Sequence, residues 1–110
     1  KMYAVTQTDA FDAWLTGLSD RMTRMRLLKR LAKVRTGNLG DHAPVGEGVW
    51  ELREFFGPGW RMYYVHDGST IILMLGGGDK STQQRDIERA KEMAMELRNE
   101  QDEQDQNTSV

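Results

Sequence analysis

The order of apolar and polar positions divides the chain into short elements. Residues 2–6, MYAVT, read as an opening strand, after which Phe11, Trp14, Leu15 and Leu18 recur at helical spacing. Thr8 or Asp9 supplies a side-chain oxygen to cap that helix, and Gly17 with Ser19-Asp20 interrupts it. A second helix is predicted over residues 20–34, capped by Asp20, with Leu27, Leu28, Leu31 and Val34 on its apolar side; Gly37 ends it. Residues 37–48, GNLGDHAPVGEG, hold four glycines and a proline and read as an exposed loop. Three strand patterns follow at 49–56, 60–66 and 70–76, the last an apolar run suited to the centre of a sheet. Gly57-Pro58-Gly59 and Asp67-Gly68 are the turns between them. A final helix starts near Ser81, where Ser81 and Gln84 match a capping box, and its stripe of Ile87, Ala90, Ala94 and Leu97 faces inward. The predicted order is β-α-α-β-β-β-α. The fold class is α+β, a mostly antiparallel sheet with helices packed on one face.

The 110 residues allow one domain and one core. The absence of cysteine excludes disulfides, thiol nucleophiles and thiolate metal sites, and agrees with a reducing cytosol. No apolar run approaches the ~20 residues of a membrane span, and no signal peptide pattern precedes the first strand. A soluble cytoplasmic protein is expected, with Met2 as its natural start. The net charge of -2 conceals a division. Residues 1–98 carry fifteen basic and thirteen acidic side chains, whereas 99–110 contribute Glu100, Asp102, Glu103 and Asp105 without an apolar partner. The expected organisation is therefore a domain over 2–98 and an acidic, disordered tail over 99–110, whose alternative role is to cover a basic surface weakly.

Charge is unevenly placed within the domain as well. Between Arg21 and Arg35 lie seven basic residues and no acidic one. Arg26, Lys29, Arg30 and Lys33 fall at i, i+3, i+4 and i+7, so like charges meet on one helical face and cost a few tenths of a kcal/mol per pair, roughly. Acidic side chains of the last helix (Glu88, Glu92, Glu96) or plain solvation can offset this. The functional alternative is a surface for nucleic-acid phosphates or for an acidic partner segment.

The motifs ELR at 51–53, GPGWRMYY at 57–64, LGGGDKSTQ at 75–83 and QRDIERA at 84–90 give the chain its most specific signal. With this order and spacing the chain, over roughly residues 3–98, resembles the HigB-like addiction-module killer proteins of the RelE/ParE toxin superfamily. The resemblance implies a RelE-like single domain and a bacterial, cytoplasmic toxin of a type II toxin-antitoxin system. It also implies inhibition of translation by ribosome-dependent cleavage of mRNA, as a metal-independent endoribonuclease without a cofactor. The implied partners are mRNA, the ribosome and a HigA-like helix-turn-helix antitoxin, with operator DNA bound only through the antitoxin complex; no membrane is involved. A ParE-like, non-catalytic module that inhibits DNA gyrase is the alternative.

RNA cleavage without metal needs a 2'-hydroxyl nucleophile, charge on the pentavalent phosphate met by cations, and a proton for the departing 5'-oxygen. Arg53, Arg61 and Lys80 match basic positions in those motifs and are the catalytic candidates. Arg26, Lys29, Arg30, Lys33 and Tyr63 are the RNA-binding candidates. A three-residue loop at Gly57-Pro58-Gly59 sets Arg53 opposite Tyr63 and projects Arg53, Arg61 and Tyr63 together, whereas a two-residue loop separates them. The bland readings are an ion pair of Arg53 with Glu51 or Glu54, packing of Tyr63 or Tyr64 into the sheet, and a bulge at the triple glycine. Lys80 follows that triple glycine at a helix start, a corner that favours anions. His42 and His66 have the imidazole common in ribonuclease chemistry but no partner nearby in sequence, and no metal-ligand spacing surrounds them.

Overall fold

The computed structural model describes residues 1–108. Strand β1 (Ala4–Gln7) leads into helices α1 (Asp9–Thr16) and α2 (Arg21–Arg35). Strands β2 (His42–Gly46), β3 (Val49–Glu54), β4 (Trp60–Asp67) and β5 (Ile71–Asp79) follow, then a 3-10 turn (Lys80–Thr82) and α3 (Gln83–Thr108). Both predicted helix caps form. The Thr8 hydroxyl accepts from Phe11 N at 3.1 Å and the Asp20 carboxylate from Thr23 N at 3.3 Å, each satisfying an orphan donor. The Ser81–Gln84 box does not form, because Asp79 takes Ser81 N at 2.8 Å while Gln84 donates along the helix to Glu88.

The sheet runs β1-β5-β4-β3-β2, parallel between β1 and β5 and antiparallel elsewhere. The loop expected over residues 37–48 contains the edge strand β2, with Pro44 opposite Trp50. An edge position tolerates proline because its missing N–H is not needed by a second neighbour. Residue 47 turns β2 back into β3 with a positive φ of 57° at Glu47, flanked by Gly46 and Gly48.

Adjacent residues of a strand point to opposite faces, and here both faces are apolar. Met62 and Tyr64 of β4, with Leu52, Ile72 and Met74, meet Phe11 and Leu15 of α1 and Leu27, Leu31 and Val34 of α2. Tyr63, between them, joins Val49, Leu75, Ala90 and Ala94 on the other face, under α3. The expectation of helices on one face thus describes α1 and α2, while α3 covers the opposite side. Leu28 is corrected outward: it is 47% exposed, turned away from the core that Leu27 and Leu31 enter.

Residues 99–108 continue α3 instead of trailing away as a disordered tail. Glutamine and glutamate propagate helix well, and Gln101 Nε2 donates to Asp105 one turn on at 3.2 Å. The last two residues of the expected tail lie outside the described residues. No helix among those described is long and apolar enough to cross a membrane.

Candidate functional site

The β3–β4 hairpin has a longer loop than expected. Glu54 pairs with Trp60, so Arg53 stands directly opposite Arg61 and Glu51 opposite Tyr63. The register differs from the expected one by two residues, and an even shift leaves every side chain on its face. Arg53, Arg61 and Tyr63 therefore share the α3 side of the sheet, as anticipated.

Arg61 is 7% exposed. Its Nη1 donates to Gly59 O at 2.7 Å, and its Nε lies 3.6 Å from Glu51 Oε1. That same carboxylate oxygen accepts from Tyr63 Oη at 3.3 Å and from Gln83 Nε2 at 2.8 Å. Glu51 is only 3% exposed, so the cation beside it and two hydrogen bonds compensate a charge that is otherwise costly to bury. Burial, followed by the nearby charges of Glu51 and Asp86, raises the Tyr63 phenol well above its ordinary range, so it stays protonated. Tyr63 is a fixed donor inside the sheet and not a surface for a base, which corrects its candidacy for direct RNA contact.

Lys80 is exposed where β5 enters the 3-10 turn, and its backbone N–H donates to Pro58 O at 3.4 Å. Gly59 joins it to Arg61: a Cβ on that residue would stand 2.8 Å from Arg61 Nη1 and 3.5 Å from Lys80 Cβ. Only glycine fits there, both for space and for its φ of +81°. Arg53 lies one strand over, with Nη2 2.8 Å from Asp41 Oδ1. That hydrogen bond holds the Asp41 carboxyl below its usual range. The partner anticipated for Arg53 was Glu51 or Glu54; it is Asp41, brought across by the edge strand.

A bulge precedes the triple glycine, and two of its residues make room for neighbouring helices. Tyr63 pairs with Gly76 and Tyr64 with Met74, leaving Leu75 as a bulge. A Cβ on Gly77 would come within 2.4 Å of the Trp14 ring, and one on Gly78 within 1.9 Å of Asp86 Oδ2, whereas Gly76 faces open space. The glycines thus let α1 and α3 close on β5. Asp79 acts as a turn acceptor: its hydrogen bonds from Ser81 lower its carboxyl pKa.

The α2 candidates are not brought to this corner, since α2 packs on the opposite face of the sheet. Arg30 is corrected outright. It is 8% exposed and donates from Nη1 to Arg53 O and Glu54 Oε1, and from Nη2 to Leu39 O and Asp41 O. A guanidinium turned inward onto four acceptors has little left for a phosphate. Arg26 lies over the Phe56 ring, 4.5 Å from its centroid, at the edge of the hairpin loop. Lys29 and Lys33 are exposed. Beside them α2 also exposes Met22 at 64% and Met25 at 54%, an apolar stripe that a purely phosphate-binding helix does not need.

His42 and His66 sit elsewhere. His42 Nδ1 lies 2.9 Å from Gly40 O, and the His66 ring packs near Tyr3, Trp50 and Tyr64. A recess of about 290 Å³ between Val65, Leu73, Ala94 and Leu97, below Glu47 and Arg98, lies at the far end of the sheet and holds none of the catalytic candidates. Among the described residues no group of three or more His, Cys, Asp or Glu is placed to hold a metal ion. Gln83 and Asp86 were missed by sequence reasoning, and Glu51 was weighed only as a partner for Arg53. Their positions depend on how α3 lies across the sheet, and only the alternation linking Glu51, Arg53 and Tyr63 hinted at one face.

The model of the phage-derived protein Gp49-like family matches residues 13–99. An uncharacterized protein of Haemophilus influenzae is 38% identical over 93 residues, covering 84% of this chain and 94% of that protein. Among solved structures, a mutant of the E. coli toxin RelE in the free state superposes with a TM-score of 0.66 at 14% identity, over 83% of this chain and 95% of that one. The toxin-antitoxin complex RelBE2 from Mycobacterium tuberculosis gives a TM-score of 0.50 at 20% identity, over 73% of this chain and 100% of the matched one. These two likenesses show a shared fold.

Proposed function

We propose that this chain, which belongs to the phage-derived Gp49-like family, is the toxin of a type II toxin-antitoxin pair, HigB-like in kind, that arrests growth by cutting messenger RNA. The carrying observation is that Arg53 and Arg61 are direct cross-strand neighbours and exposed Lys80 adjoins Arg61 through Gly59. In this reading the 2'-hydroxyl loses its proton to water and attacks the adjacent phosphorus to form a 2',3'-cyclic phosphate, the bond to the 5'-oxygen breaks and that oxygen takes a proton from water, and the cations meet the charge of the pentavalent state. Glu51 does not touch substrate. Held by Tyr63 and Gln83, it positions Arg61 and limits the net charge of the corner, leaving exposed Lys80 as the principal uncompensated cation. A shallow face with so few acid-base groups suits a message already positioned within a translating ribosome.

The α2 surface supports the partner reading. Exposed Met22, Met25 and Leu28 beside Arg21, Lys29 and Lys33 fit an acidic, partly apolar segment of an antitoxin better than they fit bare phosphates. The antitoxin we infer is HigA-like, with a helix-turn-helix that carries the complex to its operator. The same apolar surface favours the second reading, a non-catalytic module that inhibits DNA gyrase by protein contacts.

Induced expression with primer extension on cellular transcripts separates the two. Growth arrest with new transcript ends, abolished by Lys80→Ala and by Arg61→Lys, is expected. Arrest with intact transcripts and accumulated DNA breaks would replace cleavage by gyrase inhibition.

A further inference from the structure

The hairpin loop at this corner shows water a large aromatic ring. Phe55 is 74% exposed, while its neighbour Phe56 packs against the core below Arg26. A single exposed apolar side chain is ordinary by itself, so its company decides. Phe55 lies just past the end of β3 at Glu54, in the loop that leads to the Arg61 strand. Phe56 turns toward α2, where Arg26 lies over its ring. The loop is pinned as well: Glu54 pairs with Trp60, Gly59 N donates to Phe56 O at 3.2 Å, and Lys80 N holds Pro58 O. Its far end is Gly59, against which Arg61 Nη1 and Lys80 Cβ both stand.

A solvent-facing ring on a pinned loop near cations is an arrangement by which proteins hold single-stranded nucleic acid, with cations on phosphates and the ring under a base. A phenyl ring has no hydrogen-bonding group, so it accepts any base by its π-face and reads none by its edge. We propose that Phe55 is the floor of a nucleobase subsite, stacking on the base next to the phosphate that exposed Lys80 holds. This inference rests on the RNA reading of the corner given above.

The test is fluorescence anisotropy of a short, labelled single-stranded RNA, bound to the full chain alone and as a message on ribosomes, across a salt series. Phe55→Leu keeps the apolar surface and removes the π-face; it is expected to weaken binding about tenfold, equivalent to ~1.4 kcal/mol, without altering the salt dependence. Phe55→Trp is expected to bind as tightly as the native chain or more so. Lys80→Ala is expected to weaken binding and lower the salt slope by about one. Because Phe55 is exposed, circular dichroism of its variants should match that of the native chain. Unchanged affinity in Phe55→Leu, with binding weakened in Lys80→Ala, overturns the subsite and leaves the RNA reading standing. Absence of binding by the native chain in both settings sinks that reading and the subsite with it.

Discussion

Replacing Arg30 by methionine distinguishes a structural cation from an RNA-binding one. Its guanidinium donates at 2.8 Å to Arg53 O, 2.9 Å to Glu54 Oε1, and 2.7 Å to each of Leu39 O and Asp41 O. The segment around Gly40 wraps so closely that a Cβ on that glycine would stand 3.0 Å from Arg30 Nη2. Removing the cation leaves two backbone carbonyls and a carboxylate short of donors, while Asp41 O keeps the Arg53 N–H at 3.0 Å, at ~1–3 kcal/mol for each acceptor that water does not reach. Glu54 is a quarter exposed and will be partly rehydrated, so the total should be closer to the ~3–5 kcal/mol lost when one partner of a buried pair is deleted. Against a domain stability of ~5–15 kcal/mol this is a large share, and the melting temperature should fall by roughly 10–30 °C. Urea denaturation of Arg30→Met, beside Lys29→Met and Lys33→Met, makes the comparison; the two lysine variants should stay within ~0.5 kcal/mol of the native chain. The same variant should loosen the strand that carries Arg53, whose carbonyl Arg30 holds. If Arg30→Met unfolds like the native protein yet loses more RNA affinity than Lys29→Met, Arg30 is a surface ligand and the reasoning is wrong.

Three other outcomes follow from the packing around the sheet. Gly77→Ala and Gly78→Ala should each cost ~1–3 kcal/mol by thermal unfolding, because the added methyl meets Trp14 or Asp86, whereas Gly76→Ala should change little; equal effects at all three would refute the close approach. Tyr64→Phe should be neutral or stabilising, since its buried hydroxyl has no hydrogen-bond partner among the described residues, while Tyr63→Phe should cost ~1 kcal/mol through its lost bond to Glu51. Burial lifts Tyr64 from 10.0 to about 12 and Tyr63 higher still, so folding grips these protons more tightly than the unfolded chain does. That stability is complete below pH 10.0 and drains away as pH rises through about 12. Tyrosinate absorbance and near-ultraviolet circular dichroism should therefore change together, and ionisation ahead of unfolding would contradict the burial.

The helices and central strands were legible because their signals are local. Thr8 and Asp20 cap where short polar side chains before an apolar period should, and β4 was readable within one residue of each end. Strand β2 was hidden since glycine and proline announce a turn, and only the partnership with β3 makes His42–Gly46 extended. Arg30 misled for a related reason: helical spacing groups it with Lys29 and Lys33, but nothing local tells that the chain at Leu39–Asp41 folds back to receive its guanidinium. Parity rescued the candidate site, because the hairpin register moved by an even number and kept Arg53 and Arg61 on one face. Gln83, which completes the cradle around Glu51, depends on the path of α3 and left no local mark.

The parallel pairing of β1 with β5 sets a timetable for synthesis. Ala4 has no sheet partner until Ile71 emerges from the ribosome, at ~5–20 residues per second a wait on the order of seconds. Gln83 arrives later still, so the corner holding Arg61 stays unassembled until α3 has begun. Whatever Arg61 does therefore waits on the start of α3 rather than on its own strand.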